Sequence, residues 1–66
     1  MDCPLSQRQI KVVEKLSQGL QAKAAANDLH MTTVTVNRDI EKAMKASNTR
    51  NTTGLVATAL RQGWIR

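Results

Sequence analysis

Residues 21–46 have the sequence QAKAAANDLHMTTVTVNRDIEKAMKA, which contains two helix-like segments joined by a short hinge at residues 29–32. Thr32 is a favoured N-cap residue, and a hinge of this length permits only a tight turn between two helices. The exposed side of the second segment then presents side chains that hydrogen-bond to base edges, namely Thr33, Asn37, Arg38 and Glu41. A short scaffold helix followed by such a helix is the helix-turn-helix pattern, which in a basic protein indicates DNA binding.

Two further helices are predicted, one on each side of this stretch. The first has apolar residues at helical spacing, Ser6 as its N-cap, and Gly19 as the residue that follows it. The last also has apolar residues at helical spacing and stops before Gly63. We therefore predict one all-α domain over residues 1–66, with four helices at about 6–18, 22–29, 33–46 and 52–62.

Size and charge narrow the class of protein further. The 66 residues form one domain at most, with no room for a catalytic cleft beside a core. The sequence has no nucleophile–base pair, metal-ligand set or phosphate-binding loop, so we expect neither an enzyme nor a cofactor. Ten Lys and Arg residues against five Asp and Glu give a formal net charge of +5 and a pI of about 10.2, which favours an anionic partner such as nucleic acid.

The cysteine and apolar residues indicate the compartment and the size of the core. Cys3 is the single cysteine and His30 the single histidine, so neither an internal disulfide nor a structural zinc site can form. The absence of a signal peptide and of an apolar run of membrane length indicates a cytoplasmic protein.

Trp64 is the single aromatic residue and is predicted to anchor the C-terminus in the core. Such a small core suggests that a second subunit contributes to stability.

Five short motifs carry a family resemblance. They are LSQRQ at 5–9, QGLQAKAAA at 18–26, LHMTTVTV at 29–36, RNTTGL at 50–55 and ALRQGWI at 59–65. Each is weak alone, but in this order and spacing they are similar to the DNA-binding domain of LuxR-type (GerE-like) transcription regulators. The resemblance extends without a gap from Leu5 to Ile65 and implies a four-helix helix-turn-helix domain.

At several positions the chain differs from the family pattern. His30 and Asn48 occupy positions where the family usually has glycine, and both residue types tolerate a positive φ, so we expect left-handed backbone at each. Gln9 replaces a glutamate that in the family ties the first helix to the rest of the domain. Asp39 replaces a common histidine, and Glu41 lies where a basic residue often contacts DNA, so both acids are expected to weaken phosphate attraction at the reading face.

The resemblance implies that base contacts come from Thr33, Val34, Asn37, Arg38 and Glu41. The side-chain chemistry agrees, because Arg38 can contact guanine through two hydrogen bonds and Asn37 can do the same with adenine. Glu41 either accepts a hydrogen bond from cytosine or pairs with Lys45 and Arg38 along the helix. Val34 either contacts a thymine methyl group or is a neutral surface residue.

Phosphate contacts are predicted for polar and basic side chains between the first helix and the start of the fourth. Each of the charged ones is equally consistent with a solvated surface charge. The predicted set is Arg8, Lys23, Thr32, Thr35, Lys42, Lys45, Arg50 and Asn51.

The leading hypothesis is a sequence-specific DNA-binding transcription regulator that acts as a homodimer on inverted-repeat DNA. The fourth helix has more apolar circumference than one core needs, and LuxR-type domains pair through this helix. The predicted dimer residues are therefore Leu55, Val56, Ala59 and Leu60.

Two alternatives remain open from the sequence. The chain is either a free-standing regulator without a sensor domain, which the start Met1-Asp2-Cys3-Pro4 favours, or a piece of a longer regulator. The rival function is a small adapter or antagonist that binds another transcription regulator through the same fold, and the acids Asp39 and Glu41 motivate it.

Overall fold

Four helices make up the part of the chain that the structure describes. The computed structural model describes residues 3–66, which contain no strand and whose helices are α1 (Gln7–Ser17), α2 (Ala22–Asp28), α3 (Thr33–Ser47) and α4 (Thr52–Arg61). The predicted all-α, four-helix fold is confirmed, and each helix end lies within one residue of its expected position. Met1 and Asp2, which the predicted domain includes, lie outside the described residues.

Side-chain caps start three of the four helices. The Ser6 hydroxyl accepts from the Gln9 N–H at 3.2 Å while the Gln9 side-chain oxygen accepts from the Ser6 N–H at 3.0 Å, forming a reciprocal capping box. Thr32 caps α3 and Asn51 caps α4, each accepting from a backbone N–H three residues later. The caps predicted at Ser6 and Thr32 are confirmed. The hydrogen bond of Gln9 is thus local to the start of α1 and does not tie that helix to the rest of the domain.

The turns after α2 and α3 both use left-handed residues that are not glycine. His30 has φ 55° and Asn48 has φ 57°, which confirms the left-handed backbone predicted for both. At His30 the chain reverses so that the N–H of Met31 donates to the carbonyl oxygen of Ala26 at 2.8 Å, which closes the end of α2. This turn places the start of α3 immediately after α2.

Buried apolar side chains from all four helices form the core. The two buried residues of α2 are both alanines, which lets α2 pack closely against α1 and α3. Trp64 is half-buried against the core, as predicted for a C-terminal anchor. The buried apolar residues are Leu5, Val12, Val13, Ala25, Ala26, Val36, Ile40, Ala43, Leu55, Ala59 and Ile65.

None of the helices within residues 3–66 combines the length and the apolar character that crossing a membrane requires.

Candidate nucleic-acid interface

The outward side of α3 carries a continuous line of exposed side chains. Val34, Arg38, Glu41 and Lys45 follow one another at intervals of four, three and four residues, which places them on one side of the helix. We call these four residues the α3 stripe. Val34 is 62% exposed although it is apolar, so its methyl groups are available to a partner. The buried residues of α3 lie on the opposite side and are Val36, Asp39, Ile40 and Ala43.

Thr33 and Asn37 lie beside the α3 stripe and form its flank. Both are exposed and they are four residues apart, so they share one side of the helix. Asn37 lines an open groove of about 500 Å³ between the end of α1, α3 and the start of α4, together with Thr53 and Val56. The structure therefore exposes all five predicted base-contact residues on adjoining sides of α3, with Asn37 at the edge of that surface.

The first turn of α3 offers hydrogen-bond donors, but the hydroxyl of Thr32, one of the predicted phosphate contacts, is not among them. The Thr32 hydroxyl accepts from the Thr35 N–H at 3.1 Å and donates to the Thr35 hydroxyl at 2.8 Å, so its proton is used within the cap. The Thr35 hydroxyl accepts that bond, which leaves its own proton free to be donated. The N–H groups of Thr33 and Val34 lie in the first turn, where no intrahelical carbonyl can accept from them.

Arg8 and Asp39 form an ion pair that changes the role expected for each. Arg8 Nε donates to Asp39 Oδ2 at 2.8 Å and Arg8 Nη2 donates to Oδ1 at 3.0 Å. These hydrogen bonds, and then charge attraction, raise the pKa of the Arg8 guanidinium above its ordinary value. The expectation that Asp39 lies on the reading face is wrong, because its side chain is 1% exposed and points into the protein. Arg8 is predicted to contact phosphate, but two of its donors are occupied by Asp39.

Glu41 lies on the α3 stripe without either of its expected ionic partners. Residues 3–66 contain two ion pairs, Arg8–Asp39 and Lys15–Asp28, the latter at 3.4 Å. The alternative in which Glu41 pairs with Lys45 and Arg38 is therefore not formed in this structure. The exposed Glu41 carboxylate is left to interact with a partner or with water.

The remaining predicted phosphate contacts are spread over several elements. Lys23 is exposed on α2, Lys42 and Lys45 are exposed on α3, and Arg50 is exposed in the turn before α4. Asn51, by contrast, uses its side-chain oxygen to cap α4 by accepting from the Gly54 N–H at 2.7 Å. Because this cap uses the amide oxygen, the NH₂ donors of Asn51 stay free.

The predicted dimer residues on α4 divide into two groups. Leu55 and Ala59 are fully buried in the core, so they cannot take part in a contact between two folded copies, and the prediction for these two residues is wrong. Val56 is half-buried, whereas Leu60 is 49% exposed. Four apolar residues within six positions cover more than one side of a helix, and Leu55 and Ala59, which are one turn apart, lie on the side that packs into the core.

Two residues of the outward side of α4 are missing from the sequence-based set. Thr53 and Ala57 are exposed and precede Leu60 by seven and three residues, so these three share one side of the helix. We call Thr53, Val56, Ala57 and Leu60 the α4 face. The α4 face carries no charge. Its residues are three or four positions apart, and this helical spacing could have identified the face from the sequence.

Comparison with known proteins gives one family. The sequence pattern of the GerE family, described as bacterial regulatory proteins of the luxR family, matches residues 3–59 and so covers most of the chain. The match includes α1, α2, the turn at His30 and all of α3. A search of curated proteins gave no match to this chain.

Proposed function

Since the chain belongs to the luxR family of bacterial regulatory proteins and carries its DNA-binding helix-turn-helix, we propose that it is a sequence-specific transcription regulator that reads DNA with α3. The observation that carries this proposal is the α3 stripe with its flank. Side chains that can read guanine, adenine, cytosine and a thymine methyl group stand together on the outward side of one capped helix. The same helix is held by the core along its other side.

The proposed complex places α3 in the major groove. The first-turn N–H groups and the Thr35 hydroxyl then lie where helix N-termini commonly meet phosphate. Lys23, Lys42, Lys45 and Arg50 supply positive charge around this surface, in a chain whose formal net charge is +5. Phosphate contacts of this kind provide affinity and register, and the α3 stripe and its flank provide sequence preference.

We further propose that two copies bind an inverted repeat with half-sites about one helical turn apart. The α4 face supports this arrangement because it is uncharged and has exposed Leu60 beside half-buried Val56. A small surface of this type suits a two-fold contact that forms weakly in solution and fully on DNA.

A salt series on duplex DNA tests the proposed function. If lysines and arginines neutralise phosphates, log affinity falls linearly with log salt, with a slope of about 0.9 per phosphate contacted. We expect such a slope with a random duplex as well as with a site obtained by binding-site selection, and tighter binding to the selected site. Absence of binding to any duplex at low salt would contradict the proposal.

Arg38→Ala is expected to weaken binding to the selected site by about 1–3 kcal/mol and to relax preference at one base position, because Arg38 is at the centre of the α3 stripe. Lys23→Ala is the matched control, since this exposed basic residue lies on α2 and away from the stripe. It is expected to weaken all sequences about equally and to lower the salt slope by about one. Gel-shift titration measures the affinity of the two variants, and repeated site selection measures their base preference. Unchanged affinity and an unchanged selected site in Arg38→Ala would show that α3 is oriented differently.

Glu41→Gln tests whether this acid reads a base. The carboxylate has no ionic partner among the described residues, so removing its charge is expected to strengthen binding to random duplex. If Glu41 accepts from cytosine, the preferred base at one position also changes, because an amide donates as well as accepts. Site selection with both proteins measures this. A selected site identical to that of the wild type assigns Glu41 a purely electrostatic effect.

A second candidate function is pairing with another transcription regulator through the α4 face, whose exposed Leu60 favours a protein contact. One of its two motivations is weakened, because Asp39 is buried and does not oppose phosphate at the surface. The salt series separates the two functions, since an adapter that does not bind DNA has no such dependence.

A further inference from the structure

Asp39 is the one polar or charged residue that is buried within residues 3–66. Its side chain is 1% exposed, whereas that of its partner Arg8 is 60% exposed. A carboxylate taken out of water in this way is stable only when a cation and hydrogen bonds replace its hydration. Arg8 supplies both, from a residue 31 positions away in the chain.

This ion pair connects two helices through two hydrogen bonds. Arg8 lies in the first turn of α1 and Asp39 lies in the middle of α3. Two parallel hydrogen bonds of 2.8 and 3.0 Å hold the planar guanidinium against the planar carboxylate. A pair with two such bonds restrains both the sliding of α3 along α1 and the rotation of α3 about its own axis.

The restrained rotation matters because Asp39 directly follows Arg38. Consecutive residues of an α-helix point about 100° apart, so the direction of Asp39 determines the direction of Arg38. Any rotation that releases Asp39 from Arg8 also moves the α3 stripe relative to the rest of the domain.

We propose that Arg8 and Asp39 are positioning residues for DNA recognition: their ion pair sets the rotation of α3, and Arg8 acts through Asp39 and not on phosphate. This inference rests on the proposed function, since it concerns how α3 meets the bases. It predicts that two residues outside the α3 stripe control which sequence is preferred.

Arg8→Ala tests the inference through selectivity and the salt slope. Loss of the pair is expected to lower affinity for the selected site by about tenfold, within the usual range for coupled pairs, and to reduce its advantage over sites changed at the bases read by α3. The salt slope is expected to stay at the wild-type value, because no phosphate contact is lost, whereas a phosphate contact contributes about one to the slope. A change in folded fraction alone lowers all affinities by the same factor and leaves selectivity unchanged.

A double variant distinguishes the pair from simple charge. In Arg8→Ala/Asp39→Asn the buried carboxylate no longer needs a counterion, so we expect much of the lost selectivity and affinity to return. Arg8→Ala/Glu14→Gln is the matched control, because it also removes one negative charge, from an exposed residue of α1. We expect no recovery of selectivity in this control.

Arg8→Lys keeps the test decisive if Arg8→Ala does not fold. Lysine preserves the positive charge, so it would keep any phosphate contact that Arg8 made. It cannot form two parallel hydrogen bonds with the Asp39 carboxylate. We expect Arg8→Lys to lose selectivity while keeping the wild-type salt slope.

Each contrary result has a separate meaning. A salt slope lowered by about one in Arg8→Ala, with selectivity kept, would identify Arg8 as a phosphate contact and overturn the inference. Wild-type selectivity in Arg8→Lys, or equal recovery in the two double variants, would also overturn it. Failure of the wild-type protein to bind any duplex would overturn the proposed function, and with it the role of the pair in recognition.

Discussion

Replacing Ala59 by glutamate is expected to unfold the domain. Ala59 is fully buried in α4 and its surroundings in the core are apolar. An unpaired charge in such a place costs on the order of 3–5 kcal/mol, and a core of this size supplies roughly 3–5 kcal/mol in total. Loss of helical circular dichroism at 25 °C, with a shift in the emission of Trp64, measures the result.

Ala57→Glu is the matched control for this experiment. Ala57 belongs to the same helix and receives the same substitution, but it is exposed. The change is expected to alter stability by no more than about 0.5 kcal/mol, as for other surface substitutions. Urea denaturation followed by Trp64 fluorescence compares the variants. An Ala59→Glu protein with the midpoint of Ala57→Glu would mean that the core faces another side of α4.

Replacing Leu60 by glutamate is expected to abolish cooperative binding to an inverted repeat while the monomer stays folded. Leu60 is 49% exposed on the α4 face, and two copies related by a two-fold axis bring that face against itself. Two added carboxylates then meet across the contact, where like charges and their desolvation cost several kcal/mol. Binding to a single half-site is expected to remain close to that of the wild type, because α3 is not changed.

Gln62→Glu provides the control with the same added charge. Gln62 is exposed near the end of the same helix, two residues from Leu60 and therefore on nearly the opposite side. Its two-site complex is expected to match that of the wild type. Gel-shift titration on one and two half-sites, with sedimentation of the free proteins, measures both variants. A cooperative two-site complex in Leu60→Glu would exclude the α4 face as the dimer contact.

The helix ends and turns of this domain are predictable because they depend on a few neighbouring residues. A hydroxyl at Ser6 or Thr32 reaches the N–H three residues later whatever the rest of the chain does. His30 and Asn48 adopt positive φ because their backbone must turn where each helix ends, and their side chains tolerate it. The exposure of Arg38 follows in the same way from the apolar spacing of α3.

The side of α4 that joins the core could not be assigned from the apolar residues alone. Burial is compatible with all four apolar residues of this helix, Leu55, Val56, Ala59 and Leu60. Their hydrophobicity does not predict which of them are buried, since the small Ala59 is buried while the large Leu60 is half exposed. The decision comes from close packing, because α4 must fit against α1 and α3 at the same time.

The local pattern of residues thus determines where each helix starts and where the chain turns. It also determines which side of α3 carries side chains that can hydrogen-bond to bases, because capping and periodicity act over three or four residues. The role of Asp39 lies beyond that range. An acid between Arg38 and Ile40 suggests a surface charge until folding brings Arg8 to within 2.8 Å of it from 31 residues away. Only the packing of α1 against α3 creates this contact, because the buried carboxylate needs a cationic partner and takes Arg8 from another helix, while Arg38 and Lys42 stay exposed.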